Sequence, residues 1–75
     1  MPTLPTLSGR DVVRIFEKEG WQVARQRGSH IILVKEGHKA TLSVPDHREV
    51  AKGTLRSLIR SSGLTVEQFI ALVRK

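Results

Sequence analysis

The spacing of apolar residues changes from helical to alternating and back again, which predicts helices near both ends of the chain and strands between them. After Ser8, apolar residues recur at helical spacing, so we expect a first helix over residues 9–19 that stops near Gly20. Ser8 and Asp11 have the three-residue separation of an N-terminal capping box. Residues 1–7 contain two prolines, which disfavour helix, and they are predicted to form a short leader.

Alternation of apolar and polar residues predicts three short strands in the middle of the chain. The first strand has Trp21, Val23 and Arg25 at alternate positions, and we expect this shared face to be half-buried. A turn at residues 28–29 leads into an apolar, β-branched segment over residues 30–34, which is predicted to be the central strand. Turns this short are typical of an antiparallel meander.

The third strand and the two helices after it have clear end signals. The strand covers residues 40–44, and Pro45 ends it. A second helix is predicted over residues 52–62, with its apolar positions on one side. Thr65 and Gln68 form the clearest capping box in the chain and begin a last, short helix.

This order of elements predicts an α+β fold, a two-layer sandwich in which a three-stranded antiparallel sheet has helices on one face. The helices carry apolar stripes that must cover one face of the sheet, which leaves the other face largely open. The α-β-β-β-α order, with a short C-terminal helix added, is the architecture of a double-stranded-RNA-binding domain. A chain of 75 residues is expected to be a single domain, residues 1–75.

Composition narrows the function classes. The chain has no cysteine, which excludes disulfides, zinc knuckles and thiol catalysis. It has 13 Lys and Arg against 7 Asp and Glu, a net charge of +6, and most of the excess lies in residues 21–60. Such a charge favours a polyanionic partner. With no long apolar run and no signal-peptide pattern, we expect a cytoplasmic protein that does not bind a membrane.

Histidine is the first candidate for proton-transfer chemistry. His30 begins the predicted central strand directly after Gly28 and Ser29, and Arg25 and Arg27 come just before it. A histidine at a turn can be held rigidly and still reach solvent, while guanidinium groups nearby hold a phosphate. This combination suits RNA cleavage, although a lone histidine on a strand is more often structural or merely exposed.

The other two histidines are weaker candidates. His38 lies in a predicted turn and is interpreted as a solvated loop residue. His47 lies in the loop after Pro45 and approaches His30 only if that loop folds over the sheet. The spacing of the three histidines matches no compact metal motif, so we expect no metal site. A domain this small cannot enclose a deep pocket, so we also expect no small-molecule cofactor.

A second group of candidates lies at the start of the second helix. Lys52, Gly53 and Thr54 open a helix whose free N–H groups favour an anion, although ordinary capping explains them equally well. Arg56 lies one turn further along and is a further candidate for phosphate contact, or simply a solvated charge.

Several segments together resemble HicA toxins, the YcfA-like family. The resemblance covers about residues 7–73 and is most specific in the Gly28-Ser29-His30 and Lys52-Gly53-Thr54-Leu55-Arg56 segments. It implies a fold of the double-stranded-RNA-binding type and a ribosome-independent mRNA interferase that a HicB antitoxin neutralises. It also implies that His30 is catalytic and that no metal is required.

Residue by residue, these expectations form one proposed site. The catalytic candidates are His30, Ser29 and His47, with Ser29 orienting the phosphate or the imidazole and His47 as a second proton-transfer group. The candidates for RNA contact are Arg25, Arg27, Gly28, Lys52, Gly53, Thr54 and Arg56. Two other functions stay open: a non-catalytic RNA-binding module that uses the same basic face, and a protein-interaction domain.

Overall fold

In the computed structural model, which describes residues 3–75, the chain forms three helices around a three-stranded sheet. The elements are α1 Gly9–Glu17, β1 Gln22–Arg27, β2 His30–Val34, β3 Leu42–Pro45, α2 Lys52–Ser62 and α3 Val66–Val73. All strand pairs are antiparallel, in the order β1-β2-β3. This confirms the predicted α+β class, while the closer likeness to a double-stranded-RNA-binding domain stays a prediction. Met1 and Pro2, in the predicted leader, lie outside the described residues.

Local signals at the helix ends form as predicted. The Ser8 hydroxyl accepts a hydrogen bond from the Asp11 N–H at 3.1 Å, and the Asp11 carboxylate accepts one from the Ser8 N–H. Thr65 and Gln68 make the same reciprocal pair at the start of α3. The α1 helix ends two residues before its predicted end, at Glu17.

The α1 and α2 helices cover one face of the sheet, and α3 packs against both of them to complete the core. Phe16 lies at its centre, with its ring 6.3 Å from the Trp21 ring and 5.3 Å from the Phe69 ring. The leader contributes as well, because Leu4 is only 3% exposed. The buried apolar residues are Leu4, Val12, Val13, Ile15, Phe16, Trp21, Ile31, Leu33, Leu42, Val44, Val50, Leu55, Leu58, Ile59, Phe69 and Leu72.

The predicted pattern of the first strand is wrong, and a β-bulge is the reason. All six residues of β1 are exposed, and Trp21 is buried but precedes the strand. Val23 pairs with Leu33, yet the next pair in the register is Arg25 with Ile32, so Ala24 is an extra residue. Because the bulge interrupts the alternation, Val23 and Arg25 lie on opposite faces of the sheet.

The helix side of β1 is left partly uncovered. Val23 is 47% exposed and borders an open groove of about 320 Å³ between β1 and α1. Val13 and Ile31 also line this groove, and the guanidinium groups of Arg10 and Arg14 flank it. We therefore find an exposed edge strand where a half-buried one was predicted.

His38 also differs from its prediction as a solvated loop residue. Its ring lies 4.9 Å from the Trp21 ring, and its Nδ1 atom is buried without a hydrogen-bond partner within residues 3–75. His38 therefore packs against the core.

No helix in the described part of the chain is long and apolar enough to cross a membrane.

Candidate functional site

His30 is the first residue of β2, on the open face of the sheet. Its neighbours Ile31 and Leu33 are buried beneath the helices, so the strand alternation places His30 and Ile32 on the opposite face. Arg27 of β1 is the direct cross-strand partner of His30. The structure therefore brings an exposed imidazole and a guanidinium together on a face that no helix covers.

A shallow depression of about 390 Å³ surrounds His30. It is lined by Arg27, His30, Ile32 and Ser43, one or two residues from each strand of the sheet. Ser43 lies directly across from Ile32. The volume falls within the range of about 300–1,000 Å³ that is common for ligand sites. The depression is wide open, as a site for a polymer must be.

The β1–β2 turn positions His30 by its backbone conformation. Gly28 has φ of 58°, in the left-handed region, and a Cβ there would meet nothing within 4 Å. Glycine is therefore favoured by the turn geometry and not by crowding. The turn is anchored by the Asp46 N–H, which donates to the Ser29 carbonyl at 2.7 Å, and by the Gln26 amide, which donates to the Gly28 carbonyl.

His47 lies near this turn but outside the depression. The Asp46–Ser29 hydrogen bond joins the residue before His47 to the residue before His30. The same loop is tied to the helices, because the Gly9 N–H donates to the His47 carbonyl at 2.9 Å. Over residues 3–75 no hydrogen bond joins the two imidazoles, and His47 does not line the depression. The Asp46–Ser29 hydrogen bond therefore holds the His47 loop beside the turn that carries His30.

Lys52, Gly53 and Thr54 form the first turn of α2, as predicted. The N-cap residue Ala51 makes no side-chain capping bond, and the first turn has no acidic residue. The Lys52 ammonium contacts the Thr6 hydroxyl at 3.4 Å, and a Cβ on Gly53 would meet nothing within 4 Å. The end of α2 is accessible, and its dipole is not offset by an acidic residue in the first turn.

A groove connects α2 to the edge of the depression. Thr54, Ser57 and Ser61 line it from the helix, and Ser43 lines it from β3. Ser43 also borders the His30 depression, so the two surfaces share one residue. Thr54 and His30 thus line two neighbouring surfaces that both border Ser43.

Arg56 lies apart from these residues. It lines a different groove of about 240 Å³, together with Arg60 and residues of the α2–α3 turn. The structure does not bring Arg56 together with His30. An RNA contact by Arg56 remains a prediction and would need a substrate that extends around α2.

Two residues of the depression were not among the candidates from sequence. Ile32 is two positions from His30 on the same strand, and Ser43 is a polar residue between buried Leu42 and Val44. The alternation signal for both was present in the sequence. What was missing was the strand register, which alone places them beside His30.

The described residues offer no acidic or histidine cluster for a metal. Within residues 3–75, no group of three or more His, Cys, Asp or Glu side chains is placed to hold an ion. The nearest carboxylate to the β1–β2 turn belongs to Asp46, whose oxygens contact Arg10 at 3.4 Å and Gln26 at 3.3 Å. The side chains that line the depression carry imidazole, guanidinium and hydroxyl groups.

Comparison with models of known protein families finds a match for this chain. A family model described as the HicA toxin of bacterial toxin-antitoxin matches residues 9–64. The match includes His30 and its turn, all three strands and the whole of α2. No match was found among curated proteins.

Proposed function

The chain belongs to the HicA toxin family of bacterial toxin–antitoxin systems, and we propose that it acts as a metal-independent endoribonuclease that cleaves mRNA and so stops translation. The observation that carries this proposal is the pairing of His30 with Arg27 on the open sheet face. An imidazole can exchange a proton near neutral pH, and a guanidinium next to it can hold the phosphate that reacts.

The proposed reaction is attack by a ribose 2′-oxygen on the adjacent phosphorus. A base removes the 2′-OH proton, the new P–O bond forms, and the bond to the leaving 5′-oxygen breaks as that oxygen takes up a proton. His30 performs one of these two proton transfers. Arg27, the cross-strand partner of His30, stabilises the negative charge that develops on the phosphate oxygens, and Arg25 contacts the RNA beside it.

A second group is needed for the other proton transfer, and His47 is our candidate. The Asp46–Ser29 hydrogen bond supports this assignment because it keeps the His47 loop beside the His30 turn. The Ser29 hydroxyl is proposed to orient the phosphate. If the His47→Ala protein cleaves RNA at the wild-type rate, the second proton-transfer group lies elsewhere.

Lys52, Gly53 and Thr54 are proposed to hold the RNA backbone beyond the reacting phosphate. The support is the accessible α2 terminus and the surface that runs from Thr54 through Ser43 to His30. The same basic face is proposed to be covered by a HicB-type antitoxin, which would keep the enzyme inactive.

The test is cleavage of a defined mRNA by the purified chain in the presence of EDTA, with His30→Gln and His38→Gln proteins in parallel. We expect the His30→Gln protein to lose cleavage by about 10²-fold or more, as is typical when a general acid or base is removed. The His38→Gln protein, which loses a histidine away from the open face, should still cleave.

Unfolding curves of both variants separate chemistry from folding. Equal cleavage by the wild type and the folded His30→Gln protein would overturn the assignment of His30. If neither protein cleaves RNA but both bind it, the chain is a non-catalytic RNA-binding module and the nuclease proposal fails.

A further inference from the structure

A second cross-strand row lies next to the His30 row on the open face. The register pairs Arg25 with Ile32, and Ile32 with Ser43. Residues two apart on one strand are about 6.6 Å apart, so Ile32 lies about this distance along β2 from His30. A single nucleotide can therefore contact both rows.

The bulge in β1 is what puts an arginine in this second row. Before the bulge the register pairs Val23 with Leu33, so a regular strand would place Ala24 opposite Ile32 and turn Arg25 toward the helices. Bulges commonly redirect a side chain beside a functional site. Here the extra residue directs both Arg25 and Arg27 to the face that carries His30.

The three side chains of this row provide an apolar centre with a different polar group on each side. Ile32 is half-buried and apolar, while Arg25 on one flank and Ser43 on the other are exposed. Across three strands the distance from the Arg25 backbone to the Ser43 backbone is about 10 Å. In residues 3–75, Arg25 takes part in no ion pair and Ser43 in no side-chain hydrogen bond, so both polar groups are available to a ligand.

We propose that Arg25, Ile32 and Ser43 form a nucleobase subsite that prefers guanine and sets the position at which RNA is cleaved. The inference rests on the proposed function, because it assigns a base contact to the same substrate. Arginine has five donors and no acceptor, and it matches the O6 and N7 acceptors of guanine. Ile32 supports the face of the base, and the Ser43 hydroxyl accepts from the donors on its opposite edge.

The other bases fit this arrangement less well. Adenine presents its N6 amino group where guanine has O6, so a donor would face the donors of Arg25. Cytosine likewise presents its N4 amino group. Uracil offers a single acceptor at that edge and has a smaller ring to rest on Ile32. A bidentate arginine–guanine contact discriminates by about 1–3 kcal/mol, which is roughly five- to a hundredfold in affinity.

Binding of short RNA to the His30→Ala protein tests the subsite without cleavage. The probes are an oligouridylate and the same oligonucleotide with one central guanosine, adenosine or cytidine, measured by fluorescence anisotropy. We expect the guanosine probe to bind at least about fivefold more tightly than the others. Equal binding of all four probes, or preference for another base, would overturn the inference.

Conservative variants in the same background identify the residues that read the base. Arg25→Lys keeps the charge but loses the planar fork, so it should abolish the guanosine preference and lower the affinity for the guanosine probe to that for oligouridylate. Arg74→Lys, at the far end of the chain, is the matched control and should keep the preference. A guanosine preference that persists in the Arg25→Lys protein would contradict the assigned role.

The two proposals can fail separately. If the wild-type protein cleaves RNA without regard to guanosine, the nuclease proposal stands and the subsite is wrong. If the probes show the guanosine preference but the wild type cleaves no RNA, the subsite stands and the nuclease proposal is wrong.

Discussion

At the scale of single residues, the arginines differ in whether they form an ion pair within the protein. Arg10 contacts the Asp46 carboxylate at 3.4 Å, and Arg14 donates to Asp11 at 2.7 Å. Neither arginine of β1 takes part in an ion pair within residues 3–75. The two arginines of α1 therefore form ion pairs within the fold, while those of β1 remain available to a phosphate or a base.

Asp11 is a charged residue that stabilises the fold. The hydrogen bond from Arg14, and after it those from Ser8, lower the pKa of this carboxyl below its ordinary value. Its charged form therefore stabilises the folded state above the ordinary aspartate pKa of about 3.9, and this contribution is lost as the pH falls through the lower folded value.

We expect the Asp11→Asn protein to unfold at a lower urea concentration than the wild type at neutral pH. The difference between the two urea midpoints should shrink below about pH 3.9, as the wild type loses the same charge. Urea midpoints followed by Trp21 fluorescence at several pH values measure this. Glu17→Gln removes an acidic charge from the last turn of the same helix and should cost no stability there. A gap that stays constant with pH would show that the substitution acts through shape and not through charge.

At the scale of elements, the junction between α1 and the end of β3 positions the His47 loop. A Cβ on Gly9 would collide with the carbonyl oxygen of Pro45, so the helix begins in direct contact with the strand end. The Gly9 N–H also donates to the His47 carbonyl. Glycine at this position lets the backbones of α1 and β3 approach each other, and the position of the His47 loop beside the β1–β2 turn depends on this contact.

Gly9→Ala should therefore destabilise the fold by about 1–3 kcal/mol, because either α1 or the backbone at residues 45–46 has to move. Gly53→Ala is the matched control, since a Cβ there has open space in a helix. It should leave stability unchanged or raise it by about 0.4–1 kcal/mol. Denaturant unfolding of both variants compares them, and a similar loss in both would contradict the role of the Gly9 contact.

Gly53→Ala has a second use as a probe of the proposed RNA contact. If the RNA backbone approaches the start of α2 closely, the added methyl group should weaken RNA binding even though the protein is as stable as before. Unchanged RNA affinity in this variant would remove Gly53 from the proposed site.

At the scale of the whole molecule, the positive charge is concentrated in the middle of the chain. Residues 21–60 carry eight of the 13 Lys and Arg residues but only three of the 7 acidic residues. This stretch includes the whole sheet and most of α2. RNA binding through this surface should release counterions and weaken steeply with salt.

For single-stranded RNA, the slope of log affinity against log salt is about −0.7 for each phosphate contact. We expect Arg27→Ala, in the His30→Ala background, to reduce the steepness of this slope by about 0.7, because one contact is lost. Arg74→Ala removes the same charge at the C-terminal end and should leave the slope unchanged. The same reduction in both variants would show that net charge, and not the sheet face, governs binding.

Much of the fold could be predicted because its signals are local. The capping boxes at Ser8 and Thr65, the glycine turn at Gly28 and the changes of apolar period depend on residues a few positions apart. The resemblance to HicA toxins was likewise carried by short segments, and the family match over residues 9–64 confirms it. The catalytic role of His30 stays a proposal.

What only the tertiary structure decided is which side chains share a face. Simple alternation put Val23 and Arg25 together, but the bulge at Ala24 separates them and turns Arg25 and Arg27 toward His30. A bulge depends on pairing between strands, so a pattern within one strand does not reveal it. The sequence by itself determined the order of the elements, the N-terminal caps of α1 and α3 and the charge, whereas strand register and packing assembled Arg27, His30, Ile32 and Ser43 into one surface.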